Sequence, residues 1–118
     1  MDFIDEPIKR SEHVEQRELV SWFRKTFKGV LIFAIPNGGR RGKAEALQLK
    51  CEGVTAGIPD LFIPEWFLWV EMKTKTGKVS AERKEMMKYL ESIGHHCLVC
   101  YGFEDAKEKI LSFVEKKY

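Results

Sequence analysis

With 118 residues, the chain is long enough for one domain with a modest core and too short for two. A net charge of +2, with 32% charged and 44% hydrophobic residues, is an ordinary globular composition that does not by itself indicate a nucleic-acid partner. No apolar run approaches the ~20 residues of a membrane helix, and MDFIDEPIKR lacks the apolar stretch of a signal peptide, so the expected location is inside a cell, in the cytoplasm, with the three cysteines reduced.

Residues 1–10 read as a loose arm broken by Pro7. Ser11 is a helix N-cap candidate, and the helix it opens runs from Glu12 to about Phe27, with Leu19, Trp22, Phe23 and Phe27 on one face. Gly29 stops it. GVLIFAI is a short β-branched run, expected to be a buried strand, and PNGGRRG is a loop. A second helix is expected from Lys43 to Cys51, closed near Gly53. Two strands come next, Asp60–Ile63 and Phe67–Lys73, joined by a tight turn at Pro64-Glu65-Trp66. Ser80 caps a third helix that ends at Gly94, His96–Tyr101 is a strand, and Phe103–Lys116 is a last helix. The order α-β-α-β-β-α-β-α, with a hairpin at its centre, implies a mixed sheet flanked by helices in the α/β class. No internal repeat or low-complexity tract interrupts it.

Charge is unevenly placed along this order. Residues 1–18 hold six acidic and three basic residues, whereas residues 71–88 hold six basic and three acidic ones. Arg40, Arg41 and Lys43 form a second basic cluster, and such asymmetry suits a phosphate-facing surface.

The motif that carries chemistry is Pro59-Asp60, then ten residues, then Glu71-Met72-Lys73. On a strand, Glu71 and Lys73 share one face while Met72, Val70 and Leu68 point to the other. Asp60 opens the adjacent strand, so its carboxylate approaches that of Glu71. Two neighbouring carboxylates repel each other unless a cation lies between them. A hard cation such as Mg²⁺ suits an all-oxygen site. Lys73 adds a positive charge that can orient a water and offset developing negative charge. The alternative is that Asp60 caps a turn and Glu71 and Lys73 form a surface pair on an edge strand.

These residues, together with SEHVEQRELVSWF, PNGGRR, GVTAGIPDLFI and WVEMK followed by GKVSAER, resemble the VRR-NUC (virus-type replication-repair nuclease) domain of the PD-(D/E)XK nuclease superfamily. The likeness runs from Ser11 to about Tyr101, with the pieces in the expected order. It implies a restriction-endonuclease-like fold and hydrolysis of DNA phosphodiester bonds with Mg²⁺ or Mn²⁺. It also implies a preference for branched DNA such as four-way junctions or flaps, and a homodimer similar to Holliday-junction resolvases. The resemblance implies Asp60, Glu71, Lys73 and Glu15 as catalytic residues. It gives the metal to Asp60, Glu71, the backbone carbonyl of Met72 and Glu15, the last directly or through water, with Gln16 as a supporting neighbour. Glu12 is the other helix glutamate in question. The family pattern usually has a glutamine at the fourth position of S-x-x-Q after the E-x-K strand. Here that position is Arg83, which can still contact phosphate.

Asn37, Arg40 and Arg41 can hold phosphate through backbone N–H groups and guanidinium groups. With Lys43, Lys75 and Arg83 they make up the candidate DNA contacts. The same loop is not a Walker A motif, because Lys43 is followed by Ala44. Cys97-Leu98-Val99-Cys100 is not a zinc site if it is a strand, since i and i+3 then face opposite sides. Trp66 and Trp69 are expected in the core or at a dimer interface. The competing function is a catalytically silent DNA-binding module of the same fold. The intact Asp60, Glu71 and Lys73 speak against it.

Overall fold

The computed structural model describes residues 10–36 and 42–118. The expected N-terminal arm, apart from Arg10, and Asn37, Arg40 and Arg41 of the PNGGRR loop lie outside the described residues. Helix α1 spans Glu12–Thr26 and starts where Ser11 Oγ accepts the Val14 N–H at 3.2 Å. Glu12 and Glu15 lie in its first turn and Arg24 and Lys25 in its last, the arrangement that complements the helix dipole. Its apolar stripe buries Leu19 and Phe23 completely, with Trp22 and Phe27 at the core margin. Gly29, at φ +89°, takes the chain out of the helix in a conformation that favours glycine.

Strands β1 (Phe33–Ala34), β2 (Leu61–Ile63), β3 (Leu68–Lys73) and β4 (His96–Tyr101) form one sheet in the order β1-β2-β3-β4. The first two pairings are antiparallel and β3–β4 is parallel. Helix α2 covers Lys43–Cys51, α3 Ala81–Ser92 and α4 Phe103–Lys117. The element order is therefore the mixed α/β order expected, with helices flanking a mixed sheet.

Two elements differ in detail. The GVLIFAI run contributes a two-residue edge strand rather than a buried strand, and both strand residues are exposed. Its only sheet neighbour among the described residues, β2, is itself three residues long, which limits the ladder. One further bond, from Ile35 N–H to the Asp60 carbonyl at 2.8 Å, extends the pairing. Ile32 still reaches the core, while Leu31 beside it faces outward. The hairpin turn is a single 3-10 turn at Pro64–Trp66, closed by Phe67 in the left-handed region at φ 50°.

Period-two alternation divides the sheet into two faces. Leu61, Ile63, Leu68, Val70, Met72 and Cys100 pack with Leu19 and Phe23 of α1 and Ala106 and Ile110 of α4 to form the core. Burying each such aliphatic side chain stabilises the fold by about 1.5–3 kcal/mol relative to leaving it exposed. The opposite face carries Phe62, Trp69, Glu71, Lys73, Cys97 and Val99 in cross-strand rows. Helix α3 packs over the β4 side of this face through Met87 and Leu90. Beside Glu71 and Lys73 the face carries an aromatic row: Phe33 meets Phe62 edge-on, Phe62 stacks on Trp69, and Trp69 Nε1–H donates to His95 Nδ1 at 3.0 Å.

Candidate active site

Asp60 stands immediately before β2, one residue beyond the last backbone pair with β3, Leu61↔Val70. Its Oδ2 accepts the Met72 N–H at 2.8 Å, which fixes the carboxylate over the C-terminal half of β3. Glu71, on the same strand, is fully buried, a position a carboxylate takes only with compensation. Lys73 Nζ lies 3.5 Å from Glu71 Oε2 on the same face. Arg83 reaches in from the first turn of α3, with Nη1 2.5 Å from Glu71 Oε2 and 3.6 Å from Asp60 Oδ1.

Two local features bring α3 to this point. Ser80 Oγ accepts the Arg83 N–H at 3.2 Å and starts the helix there. Gly57, at φ +85°, lets the chain leading to Asp60 lie against the same turn: a Cβ there would sit 3.2 Å from both Cγ and the carbonyl oxygen of Glu82. The chain therefore needs glycine at this approach for conformation and for space.

Burial, followed by the Asp60 charge, pushes the Glu71 carboxyl above its ordinary range, while Arg83 and Lys73 pull it back. Burial works against the Arg83 charge, and the Glu71 and Asp60 carboxylates more than offset it, so the guanidinium stays protonated. One oxygen, Glu71 Oε1, is buried with no hydrogen-bond partner. An orphaned carboxylate oxygen beside a second carboxylate is an oxygen-only donor set that fits Mg²⁺ or Mn²⁺, ions that keep several waters and need few protein ligands. Among the described residues, no group of three or more His, Cys, Asp or Glu is gathered as a metal cluster.

The other sequence candidates take different places. Glu15 Oε2 accepts the Phe103 N–H at 2.7 Å and its Oε1 lies 3.2 Å from Arg10 Nε, so its carboxylate caps α4. Gln16 is half-buried beside it, as is Glu12 one turn earlier. Met72 joins the site through its N–H, the bond to Asp60. Lys43 at the start of α2 is exposed, and Lys75 lies just after β3 at the surface. Arg83, read from the sequence as a phosphate contact, is the partner of both carboxylates. Its place four residues into Ser80-Ala81-Glu82-Arg83 singled it out, but not the contact it makes. Gly57 and His95 had no role in the sequence reading. Gly57 spaces the site and His95 closes the aromatic row, and each depends on a contact with a residue remote in sequence.

No family model matches the chain, and no curated protein matches it. Among solved structures, the chain is similar to one titled "VRR_NUC domain protein". The two share 25% sequence identity at a TM-score of 0.75, over 90% of this chain and 89% of that one. The fold is thus that of the PD-(D/E)XK-like nuclease superfamily, and the match supports assigning the chain to it. Within that superfamily, the likeness is to a VRR-NUC domain, over nearly the full length of both chains.

Proposed function

We propose that this protein is a nuclease that hydrolyses DNA phosphodiester bonds with Mg²⁺ or Mn²⁺. The observation that carries the reading is the convergence of Asp60 and the buried Glu71, with its unpartnered Oε1, beside Lys73 on one face of the sheet. Asp60 Oδ1 and Glu71 Oε1 are the oxygens that would hold the cation, with the Met72 carbonyl as a further donor. When bound, the cation supplies Lewis acidity, drawing charge from a phosphate oxygen and easing deprotonation of water. The Met72 N–H holds the Asp60 carboxylate in place, so it needs no reorganisation. Lys73, held near Glu71, places a positive charge where negative charge develops on the phosphate. Lys75, Lys43 and the Asn37–Arg41 loop are the proposed contacts to the DNA backbone, supported by their charge.

The proposed substrate is branched DNA and the proposed unit a homodimer. Of the aromatic residues in the C-terminal two thirds, Trp66 is buried and Phe103 and Phe113 pack against the core. Phe62, Phe67 and Trp69 instead lie with Phe33 and His95 on the part of the sheet left open by α3. A contiguous aromatic row across a sheet face suits a second copy, and a twofold pair of sites matches the related strands of a junction. Cleavage of labelled linear, flap and four-way DNA in Mg²⁺, Mn²⁺ or EDTA tests the activity and its preference. Equal affinity for linear duplex and junction removes the branch preference, and a solution mass near 13.7 kDa removes the dimer.

One observation favours a second reading, a silent DNA-binding module. Arg83 already pairs with both carboxylates from within the chain, and with Lys73 it balances their charge. That reading expects junction binding without cleavage under every metal condition.

A further inference from the structure

We propose that Arg83 is a built-in cation that holds the Asp60–Glu71 pair in the metal-free protein and must withdraw when a divalent cation binds. The inference rests on the metal-dependent reading above. Arg83 Nη1 lies within 3.6 Å of Asp60 Oδ1 and 2.5 Å of Glu71 Oε2, so one nitrogen serves both carboxylates. Lys73 does not share this place, since its ion pair is with Glu71 Oε2 alone.

The balance of charge in the site makes the two cations competitors. Asp60 and Glu71 supply two negative charges, and Lys73 and Arg83 two positive ones. A divalent cation added to this balanced set would meet a guanidinium at its own ligands, in a partly buried site where repulsion is weakly screened. Removing Arg83 from the pair restores a net negative donor set. The movement needs only side-chain rotation. The Arg83 backbone is fixed by the Ser80 cap, whereas its side chain is 22% exposed, at the mouth of the site, and Glu71 at the bottom is 0% exposed.

Withdrawal also changes what Arg83 is available for. Released from the carboxylates, its planar fork presents paired donors beside the site, the geometry that binds a phosphate bidentately. Metal binding and phosphate binding are then coupled through one side chain. Each favours the state in which Arg83 has left Glu71, and the coupling is reciprocal.

The test measures metal binding without DNA. Mn²⁺ is titrated calorimetrically into the wild-type protein and Arg83→Gln. The variant is expected to bind Mn²⁺ about tenfold more tightly, within the usual range of coupling between sites. Equal or weaker binding by Arg83→Gln overturns the proposal and leaves the nuclease reading standing. Failure of both proteins to bind Mn²⁺ overturns both. A second measurement uses the wild type alone, in case the variant does not fold. The Arg83 Nε–Hε resonance is tracked by NMR during Mg²⁺ titration, and it is expected to shift along the same isotherm as metal binding. A resonance that stays in place while Mg²⁺ binds overturns the proposal.

Discussion

The side chain of Asp60 closes the β2–β3 ladder by accepting the backbone N–H of Met72, the residue between Glu71 and Lys73, at 2.8 Å. A single carboxylate is thus both a structural acceptor and half of the charged pair. The two roles separate by substitution. Asp60→Asn keeps an acceptor for Met72 and removes charge beside Glu71, so its melting temperature should stay near that of the wild type. Asp60→Ala leaves a buried N–H without a partner, at a cost of about 1–3 kcal/mol. Thermal unfolding of the two variants checks this, and indistinguishable melts would mean that the bond contributes nothing.

Gly57 offers a second separation. Ala at φ +85° is strained by roughly 1–2 kcal/mol, and its Cβ also meets the Glu82 backbone at 3.2 Å. Gly53, at φ +104° with nothing within 4 Å, carries the strain without the contact. Gly57→Ala should therefore be less stable than Gly53→Ala in chemical denaturation. It should also disturb the site, because the displaced segment leads to Asp60 and the displaced helix turn carries Arg83. Equal losses from both substitutions would assign the whole cost to backbone strain.

Glu15 is tied to the N-terminus of α4 by the Phe103 N–H bond. Glu15→Ala should lose about 1 kcal/mol, the usual contribution of a helix cap. Glu15→Gln, still able to accept that bond, should keep most of the stability. Cleavage by Glu15→Gln beside Glu12→Gln then reports on the metal role. Substantial activity in both matches the capping role, while a stable but inactive Glu15→Gln brings Glu15 into the site, as the resemblance implies.

The cysteines give an independent check on the packing. Burial pushes the Cys97 thiol up to about 11 and the Cys100 thiol up to about 12, while Cys51 is exposed. The reactive form is the thiolate. At pH 7–8, a disulfide reagent should titrate one thiol rapidly in the native protein and three after denaturation. Two fast thiols in the native state would mean that β4 is less well packed than described.

How far each feature was legible in the sequence depends on the range of the interactions that make it. Helix α2 begins at Lys43 and ends at Cys51, and α3 starts after Ser80, as local capping and spacing signals indicate. Glu71 and Lys73 share a face because strand alternation is a property of the backbone. The opposite-facing Cys97 and Cys100 obey the same rule, one against Met87 and the other in the core. Contacts that neither the hairpin nor strand alternation imposes were not legible. Phe103 meets Glu15 across 88 positions and His95 meets Trp69 across 26, and neither pairing has a periodic signature. The GVLIFAI run misled for a related reason. Its β-branched content announces a strand, but ladder length depends on the partner, and β2 offers three residues.

The most direct test of the central claim is cleavage of a labelled four-way junction by the wild type, Glu71→Gln and Lys73→Ala in Mn²⁺ or EDTA. The expected result is cutting by the wild type in Mn²⁺ and none in EDTA. Each variant should lose about 10²-fold or more, the scale of removing one charge-stabilising group, with an unchanged circular dichroism spectrum. Undiminished cutting in EDTA, or by either variant, would contradict a metal-dependent site built on Asp60, Glu71 and Lys73.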